Sequence, residues 1–247
     1  VFMPKIGRYH KSLDHSYTLG IFPSIEALKH APEHCRKLLL SEDIQGEGAD
    51  ILFALCDQHH IRVEMADRAL SRISEKKNTQ AAVVFQKYES SLDPAKNHIV
   101  LYNIMDAGNL GTILRTALGF GFHDIAIIRP AADVFEPQTI RASMGAIFRL
   151  RVKSYNSFEE YEKDHSDRRC YPFMLEAKTS LLEAARLQAD CGQPCSLIFG
   201  NEGSGLPQHF IHRGIPTKIL HSEAIDSLNL GNAVSIALYK FTEGSFK

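Results

Sequence analysis

The sequence has no long apolar stretch and no strong excess of either charge. No apolar run reaches about 18 residues and no charged segment precedes a leader-like apolar one, so neither a membrane span nor a secretory leader is expected. A cytoplasmic location without membrane contact is the corresponding prediction. The formal net charge of −1 excludes a uniformly basic nucleic-acid-binding domain. Any binding of nucleic acid must therefore depend on local basic patches.

The cysteines are few and scattered. Cys191 and Cys195 are close in sequence, but no second pair of Cys or His residues lies at the spacing of a zinc site. The total of five is odd, which together with the wide separation argues against a disulfide framework. We therefore expect reduced thiols and no metal site.

The glycine motifs of the common nucleotide-binding folds are also absent. The glycine-rich stretch 200–206 is not followed by Gly-Lys-Ser/Thr, so it is not a phosphate-binding loop. The region 98–120 has the strand-loop-helix pattern of a dinucleotide site but lacks Gly-x-Gly-x-x-Gly and the acidic residue about 20 positions further on. A dinucleotide-dependent oxidoreductase therefore stays only as a rival hypothesis.

A polar stretch at 89–97, which contains Pro94, is typical of a linker. It predicts a small α/β unit over residues 1–90, a linker over 91–97 and a larger domain over 98–247. Apolar periodicity in the first unit predicts helices at 24–30, 50–59 and 66–74 and strands at 37–40, 61–65 and 81–85. No side chains there are spaced for catalysis, so binding or dimer support is the expected role.

Basic residues are concentrated in this first unit, where many of the histidines also lie. Such a group is either an ordinary solvated surface or a basic contact face, and the sequence leaves both open. The lysines and arginines concerned are Lys5, Arg8, Lys11, Lys29, Arg36, Lys37, Arg68, Arg72, Lys76 and Lys77.

The second domain alternates strand-like and helix-like runs. Such regular alternation predicts a mostly parallel sheet covered by helices on both faces, with ligands at the carboxyl ends of the strands. The predicted strands are 98–102, 125–128, 150–155, 171–175, 196–199 and 217–220, and the predicted helices are 110–120, 136–143, 158–165, 180–187, 207–212 and 229–241.

Three polar islands lie where predicted strands give way to predicted helices. The first island is 109–115 (Asn-Leu-Gly-Thr-Ile-Leu-Arg), the second is 200–206 (Gly-Asn-Glu-Gly-Ser-Gly-Leu) and the third is 227–229 (Ser-Leu-Asn). Asn and Ser at such positions are good helix N-caps, and the glycines allow a ligand to approach the backbone closely. Glu202 within the second island favours a neutral or cationic ligand over a phosphate.

Taken in order, the islands resemble the three motifs of the SpoU/TrmH family of RNA ribose 2′-O-methyltransferases, and the stretch 143–146 (Ser-Met-Gly-Ala) is similar to a further family segment. The resemblance covers about residues 98–241. It implies a C-terminal trefoil knot in a mostly parallel sheet with helices on both faces, preceded by a small α/β substrate-binding domain. It also implies a homodimer and methyl transfer from S-adenosylmethionine, without a metal, to tRNA or rRNA.

The resemblance also implies the site residues. Arg115 is expected to bind the adjacent phosphate and to orient the hydroxyl, because an arginine keeps its proton in proteins and is a poor general base. A knotted RNA-binding or ribosome-assembly factor without turnover is the alternative. The implied catalytic set is Asn109, Arg115, Glu202, Ser227 and Asn229, and the implied cofactor-binding set is Gly200, Asn201, Glu202, Gly203, Ile219, Leu220, Leu228 and Asn229.

Overall fold

The computed structural model describes residues 6–74 and 78–246, so Lys5, Lys76 and Lys77 of the predicted basic group lie outside the described residues. Its helices and strands are, in chain order, β1 (His15–Tyr17), α1 (Ile21–His30), β2 (Cys35–Leu40), α2 (Glu47–Gln58), β3 (Arg62–Met65), α3 (Asp67–Ile73), β4 (Ala81–Gln86), β5 (His98–Tyr102), α4 (Ala107–Gly119), β6 (Asp124–Ile128), α5 (Pro137–Ala142), β7 (Arg151–Tyr155), α6 (Phe158–Asp164), β8 (Arg169–Pro172), β9 (Thr179–Ser180), α7 (Leu181–Ala189), β10 (Cys195–Phe199), β11 (Thr217–Lys218) and α8 (Leu230–Phe241). Short 3-10 turns occupy Pro32–His34, Ala146–Arg149 and Gln208–His212.

Contacts divide the chain into two compact units. The first holds the described residues up to Glu89 together with Asp133–Arg149, and the second holds Ser90–Ala132 and the described residues from Leu150 onward. This differs from the predicted division, which kept 133–149 in the second domain. The segment packs in the first unit through aromatic contacts: the ring of Phe85 lies 5.9 Å from that of Phe135 and 5.1 Å from that of Phe148.

The first unit is built on a four-stranded mixed sheet. Its order is β1-β4-β2-β3, with β2 and β3 parallel and the other pairs antiparallel. Strands and helices alternate as predicted, but β1 was not predicted. A three-residue strand is too short to show a period-two pattern.

The second unit is built on a five-stranded sheet in the order β7-β6-β5-β10-β8, in which every pair is parallel. Every residue of β6 and of β10 is buried, as expected for strands that are covered on both faces. On one face, Phe158 and Tyr161 of α6 pack with Val100 and Ile198. The predicted mostly parallel sheet is thus confirmed.

The opposite face of this sheet is also covered by a helix. Cys170 packs in the cluster that contains α6, so Tyr171, the next residue of β8, points to the other face. There its ring lies 5.1 Å from that of Phe241 in α8. Helices therefore cover both faces of the sheet, as predicted.

The predicted strand 217–220 differs from the structure. Only Thr217–Lys218 is extended, and it pairs with Thr179–Ser180 in a separate two-stranded sheet. The predicted helix 207–212 is a 3-10 turn. Both are short segments, for which apolar pattern alone does not decide the structure.

The centre of the large sheet is a switch in strand order. From β5 the chain continues through β6 to β7 on one side, whereas β10 and β8 lie on the other. Leu101 of β5 pairs with Phe199 of β10, so the two strands end together. The loops after them begin the first and second islands, and open α/β sheets bind ligands at such a point.

The amino end of β5 holds a buried histidine that makes stability depend on pH. The side chain of His98 is fully buried, with Nδ1 3.0 Å from the hydroxyl of Tyr161. Burial, helped by the charge of Arg168, lowers the pKa of His98 to about 4. The folded protein thus keeps this group neutral, whereas in the unfolded chain it binds a proton near about pH 6.5.

We therefore expect full stability above about pH 6.5 and a progressive loss as the pH falls from there towards about 4. Urea unfolding measured across this range checks the prediction, with His98→Gln as the comparison. The variant should be less stable at neutral pH but lose less of its stability on acidification. An unchanged pH dependence in the variant would contradict it.

Candidate functional site

The three islands meet through one side chain. The Nδ2 of Asn109 donates to Oε1 of Glu202 at 3.4 Å, and the Oδ1 of Asn109 accepts from Nδ2 of Asn229 at 3.2 Å. Each of these residues comes from a different island. The pairing of β5 with β10 brings the first and second islands together, although they are about a hundred positions apart in sequence.

Glu202 also holds the loop that leads into α4. Its carboxylate accepts the backbone N–H groups of Met105 at 3.4 Å and Asp106 at 3.2 Å. With the amide of Asn109, three N–H donors from one segment converge on this carboxylate. Glu202 is therefore engaged within the protein, which suits a role in fixing loop geometry.

The start of α4 differs from the prediction. Asp106, not Asn109, is the N-cap, and its carboxylate accepts the N–H of Asn109 at 2.6 Å. The helix begins at Ala107, so Asn109 lies in the first turn with its side chain free to bridge Glu202 and Asn229. For Asn229 the predicted cap is confirmed, because its Oδ1 accepts the N–H of Asn232 at 3.3 Å at the start of α8.

The second island is a tight hairpin that requires glycine at its base. Asn201 and Gly205 exchange two backbone hydrogen bonds of 3.1 and 2.9 Å. A Cβ added to Gly200 would lie 2.2 Å from the carbonyl carbon of Gly205 and 2.3 Å from the nitrogen of Leu206, closer than any real contact. Only glycine fits there without moving the backbone of the hairpin.

The side chain of Asn201 is used inside this hairpin. Its Oδ1 accepts the N–H groups of Gly203 at 2.9 Å and Ser204 at 3.1 Å, and its Nδ2 donates to the carbonyl of Asn103 at 2.8 Å. A contact between Asn201 and a ligand would therefore involve its backbone.

A cavity of about 350 Å³ opens beside the hairpin. The rings of Phe173 and Phe199 are stacked in its wall, with centroids 4.4 Å apart and planes 11° apart. The predicted site residues among its lining are Gly200, Asn201, Glu202, Gly203, Ile219, Ser227 and Leu228. The predicted residues outside the lining are Asn109, Arg115, Leu220 and Asn229, of which Leu220 is 70% exposed.

One wall of the cavity was not predicted from the sequence. The segment 173–176, which follows β8, lines it together with Thr217, Lys218, His221 and Asp226. The rule that parallel strands end at one edge points to this segment only once β8 is known to neighbour β10. The lining thus combines aromatic rings with carboxylates, a lysine and a histidine. This mixture suits a ligand that has a planar ring and a zwitterionic part.

Arg115 lies on the exposed surface of α4. Its side chain makes no hydrogen bond or ion pair with any residue that the structure describes. It is placed on the helix that begins at the three-island junction, within two turns of Asn109. Within the described part of the chain, nothing competes with an external anion for this guanidinium.

Fold and site together define an α/β protein with a cavity at the carboxyl ends of β10 and β8 of a parallel sheet. The model of the SpoU rRNA Methylase family matches residues 96–239. This is more than half of the chain, which therefore belongs to that family. The family membership predicted from the three islands is confirmed.

Several curated proteins are similar to this chain. An uncharacterised tRNA/rRNA methyltransferase of Synechocystis is 30% identical over 157 residues, or 63% of this chain and 56% of that protein. The 23S rRNA (uridine(2479)-2′-O)-methyltransferase of Streptomyces viridochromogenes is 30% identical over 54% of this chain and 47% of its own length. The 23S rRNA (guanosine(2553)-2′-O)-methyltransferase of Bacillus subtilis is 27% identical over 71% of this chain and 70% of its own. The chain thus spans about half the length of the first two.

Solved structures share the fold over almost the whole chain. The SpoU methyltransferase AviRb of Streptomyces viridochromogenes, solved with AdoMet, has a TM-score of 0.78 at 22% identity and covers 94% of this chain and 91% of that one. An AdoMet-bound rRNA methyltransferase of Sinorhizobium meliloti has a TM-score of 0.77 at 22% identity, covering 95% and 89%. At this level of identity the comparison establishes the common fold.

Proposed function

We propose that this protein transfers a methyl group from S-adenosylmethionine to a ribose 2′-hydroxyl of RNA. The observation that carries the proposal is the junction of Glu202, Asn109 and Asn229 beside a cavity of mixed aromatic and charged lining. Membership of the SpoU rRNA Methylase family supports it. Two of the relatives are named for 2′-O-methylation of 23S rRNA. We therefore favour rRNA as the substrate, with tRNA as the alternative.

The cavity fits the proposed cofactor. Gly200 leaves room for close approach to the hairpin backbone, and Ile219 and Leu228 line the same cavity from the segment before α8. We propose that backbone groups at these three positions hold S-adenosylmethionine, with Gly203, Leu220 and Asn229 completing the site. When bound, the cofactor supplies a methyl group on a sulfonium, which needs no metal for transfer.

The chain's own residues then orient the acceptor. Attack on the methyl group requires the 2′-oxygen in line at about 3 to 3.5 Å, so most of the catalytic contribution is positioning. Arg115, which makes no hydrogen bond or ion pair with residues 6–74 or 78–246, binds the phosphate next to the reacting ribose and electrostatically favours loss of the hydroxyl proton to solvent. The hydrogen bond between Glu202 and Asn109 holds the first and second islands together. Asn229, bonded to Asn109, and Ser227, in the cavity lining, hold the third island beside them.

Further features remain proposals. We propose a trefoil knot in the C-terminal part, supported by the return of the chain to the sheet's carboxyl end, where Thr217 accepts the N–H of Met174 at 2.9 Å. We also propose that the first unit binds the RNA substrate and that the protein works as a homodimer. The predicted cytoplasmic location stays a prediction. Among the described residues, no helix is long and apolar enough to cross a membrane.

Binding and transfer assays test the proposed function. Calorimetry should show binding of S-adenosylmethionine and none of a nicotinamide dinucleotide. With a labelled methyl donor, unmodified 23S or 16S rRNA should become labelled, and mapping should place the group on a ribose. A transcript with a 2′-deoxynucleotide at the mapped position should not accept it. Label on a base would contradict the proposal, and RNA binding without any transfer would support the inactive RNA-binding factor instead.

A further inference from the structure

Asn103, the first residue after β5, has an unusual backbone conformation. Its φ of 56° lies in the left-handed region, which residues other than glycine rarely adopt. Asparagine is among the side chains that tolerate this conformation best. The residue also lies between the end of the central strand and the start of the first island. Such a conformation at this place persists only when neighbouring contacts hold it.

The two backbone groups of Asn103 point to different neighbours. Its N–H donates to the carbonyl of Ile128 at 3.1 Å and so extends the ladder between β5 and β6 by one residue. In an extended strand, the N–H and C=O of one residue point to the same side. Here the carbonyl instead accepts from Nδ2 of Asn201, which follows β10 on the other side of β5. The left-handed conformation accounts for this reversal.

The bond to Asn201 reaches the centre of the second island. The same side chain accepts the N–H groups of Gly203 and Ser204 through its Oδ1, so it joins the hairpin tip to the end of β5. The adjacent residue, Glu202, makes the bonds that hold the loop before α4. A shift of the Asn103 carbonyl would therefore move both islands relative to each other.

The side chain of Asn103 contributes less than its backbone. Its Oδ1 is buried and has no hydrogen-bond partner among residues 6–74 and 78–246. An unsatisfied buried acceptor is unfavourable, so this atom does not explain why asparagine stands here. Its tolerance of a positive φ does.

We infer that Asn103 is a positioning residue of the proposed site, whose left-handed backbone turns one carbonyl towards Asn201 and so anchors the second island to the end of β5. The consequence for methyl transfer rests on the proposed function. The anchoring itself does not, because it is defined by contacts within the chain. An experiment can therefore test the anchoring of the second island separately from methyl transfer.

Substitution with glycine or alanine tests the role of the backbone. Asn103→Gly keeps access to the left-handed region, whereas Asn103→Ala disfavours it. Hydrogen exchange of the 200–206 segment should be about tenfold faster in the alanine variant and nearly unchanged in the glycine variant. The Kd for S-adenosylmethionine should rise about tenfold in the alanine variant and be restored to within about threefold by glycine.

A matched control has the same conformation elsewhere. His60 has a φ of 54° and lies in the first unit, between α2 and β3. His60→Ala introduces the same backbone conflict, so it should lower the Tm without changing exchange of the 200–206 segment. If His60→Ala accelerated hydrogen exchange of the 200–206 segment as much as Asn103→Ala does, the effect would reflect a general loss of stability and the inference would be overturned.

Removal of the partner side chain completes the test. Asn201→Ala removes the donor to the Asn103 carbonyl, so the effects of Asn103→Ala and Asn201→Ala on loop exchange should be less than additive in the double variant. Full additivity, or equal losses in the glycine and alanine variants, would overturn the inference. If the wild-type protein binds no S-adenosylmethionine, the proposed function fails, and the exchange rates alone decide the role of Asn103.

Discussion

Replacement of Arg115 with alanine is expected to slow methyl transfer by at least about 100-fold, the usual effect of removing a charged group that acts in the transition state. Its guanidinium is exposed on α4 and makes no hydrogen bond or ion pair with any residue in the described ranges. Its loss should therefore leave the fold and the Kd for S-adenosylmethionine unchanged. Single-turnover rates with RNA, together with calorimetry, measure the two effects separately.

Two further variants show what Arg115 contributes. Arg115→Lys keeps the charge but loses the planar fork that binds a phosphate through two hydrogen bonds, so an intermediate rate is expected. Arg186→Ala removes an exposed arginine from α7, away from the cavity lining, and should change the rate by no more than about twofold. Normal turnover by Arg115→Ala would refute the assigned role.

The parallel sheet of the second unit was predictable because strand-like and helix-like runs alternate regularly along it. Runs such as 125–128 and 196–199 are buried on both faces, as expected for parallel strands covered by helices. The same topology predicts that segments following neighbouring strands meet at one edge. The resemblance of the islands to the motifs of one family grouped Asn109 with Glu202 before the neighbours of each strand were known.

The helix start at Asp106 was not predictable in the same way. Asp106 and Asn109 are both good caps, and the sequence alone does not say which carboxylate or amide is held by another segment. Glu202 decides the question, because its bonds to the backbone of Met105 and Asp106 fix the preceding loop. The choice between the candidate caps Asp106 and Asn109 thus depends on a contact with Glu202, nearly a hundred positions away in sequence.

The unit to which a segment belongs was also not predictable from the sequence. The segment 133–149 belongs to the first unit by its contacts, although it follows β6 of the second. Local pattern predicted its helix but not its partner, since apolar residues such as Phe135 and Phe148 fit any core. The segment 173–176 was missed as a cavity wall because the neighbour of β8 is known only once the strand order is known.

Replacement of Gly200 with alanine is expected to abolish measurable binding of S-adenosylmethionine and to lower the free energy of unfolding by about 1 to 3 kcal/mol, the usual cost of an overpacked interior position. The added Cβ would lie 2.2 Å from backbone carbon in Gly205, which is not the end of a flexible side chain. The hairpin bonds between Asn201 and Gly205 must therefore open, and the cavity wall moves with them.

Gly119→Ala is the matched control for this substitution. Gly119 ends α4 with nothing within 4 Å of an added Cβ, so the same change should leave stability and cofactor binding unaltered. Urea unfolding and calorimetry on both variants give the comparison. If Gly200→Ala lost stability but bound the cofactor normally, the hairpin would not be part of the cofactor site. If it lost binding with little change in stability, the expected cost of overpacking would be refuted, while the hairpin would remain part of the cofactor site.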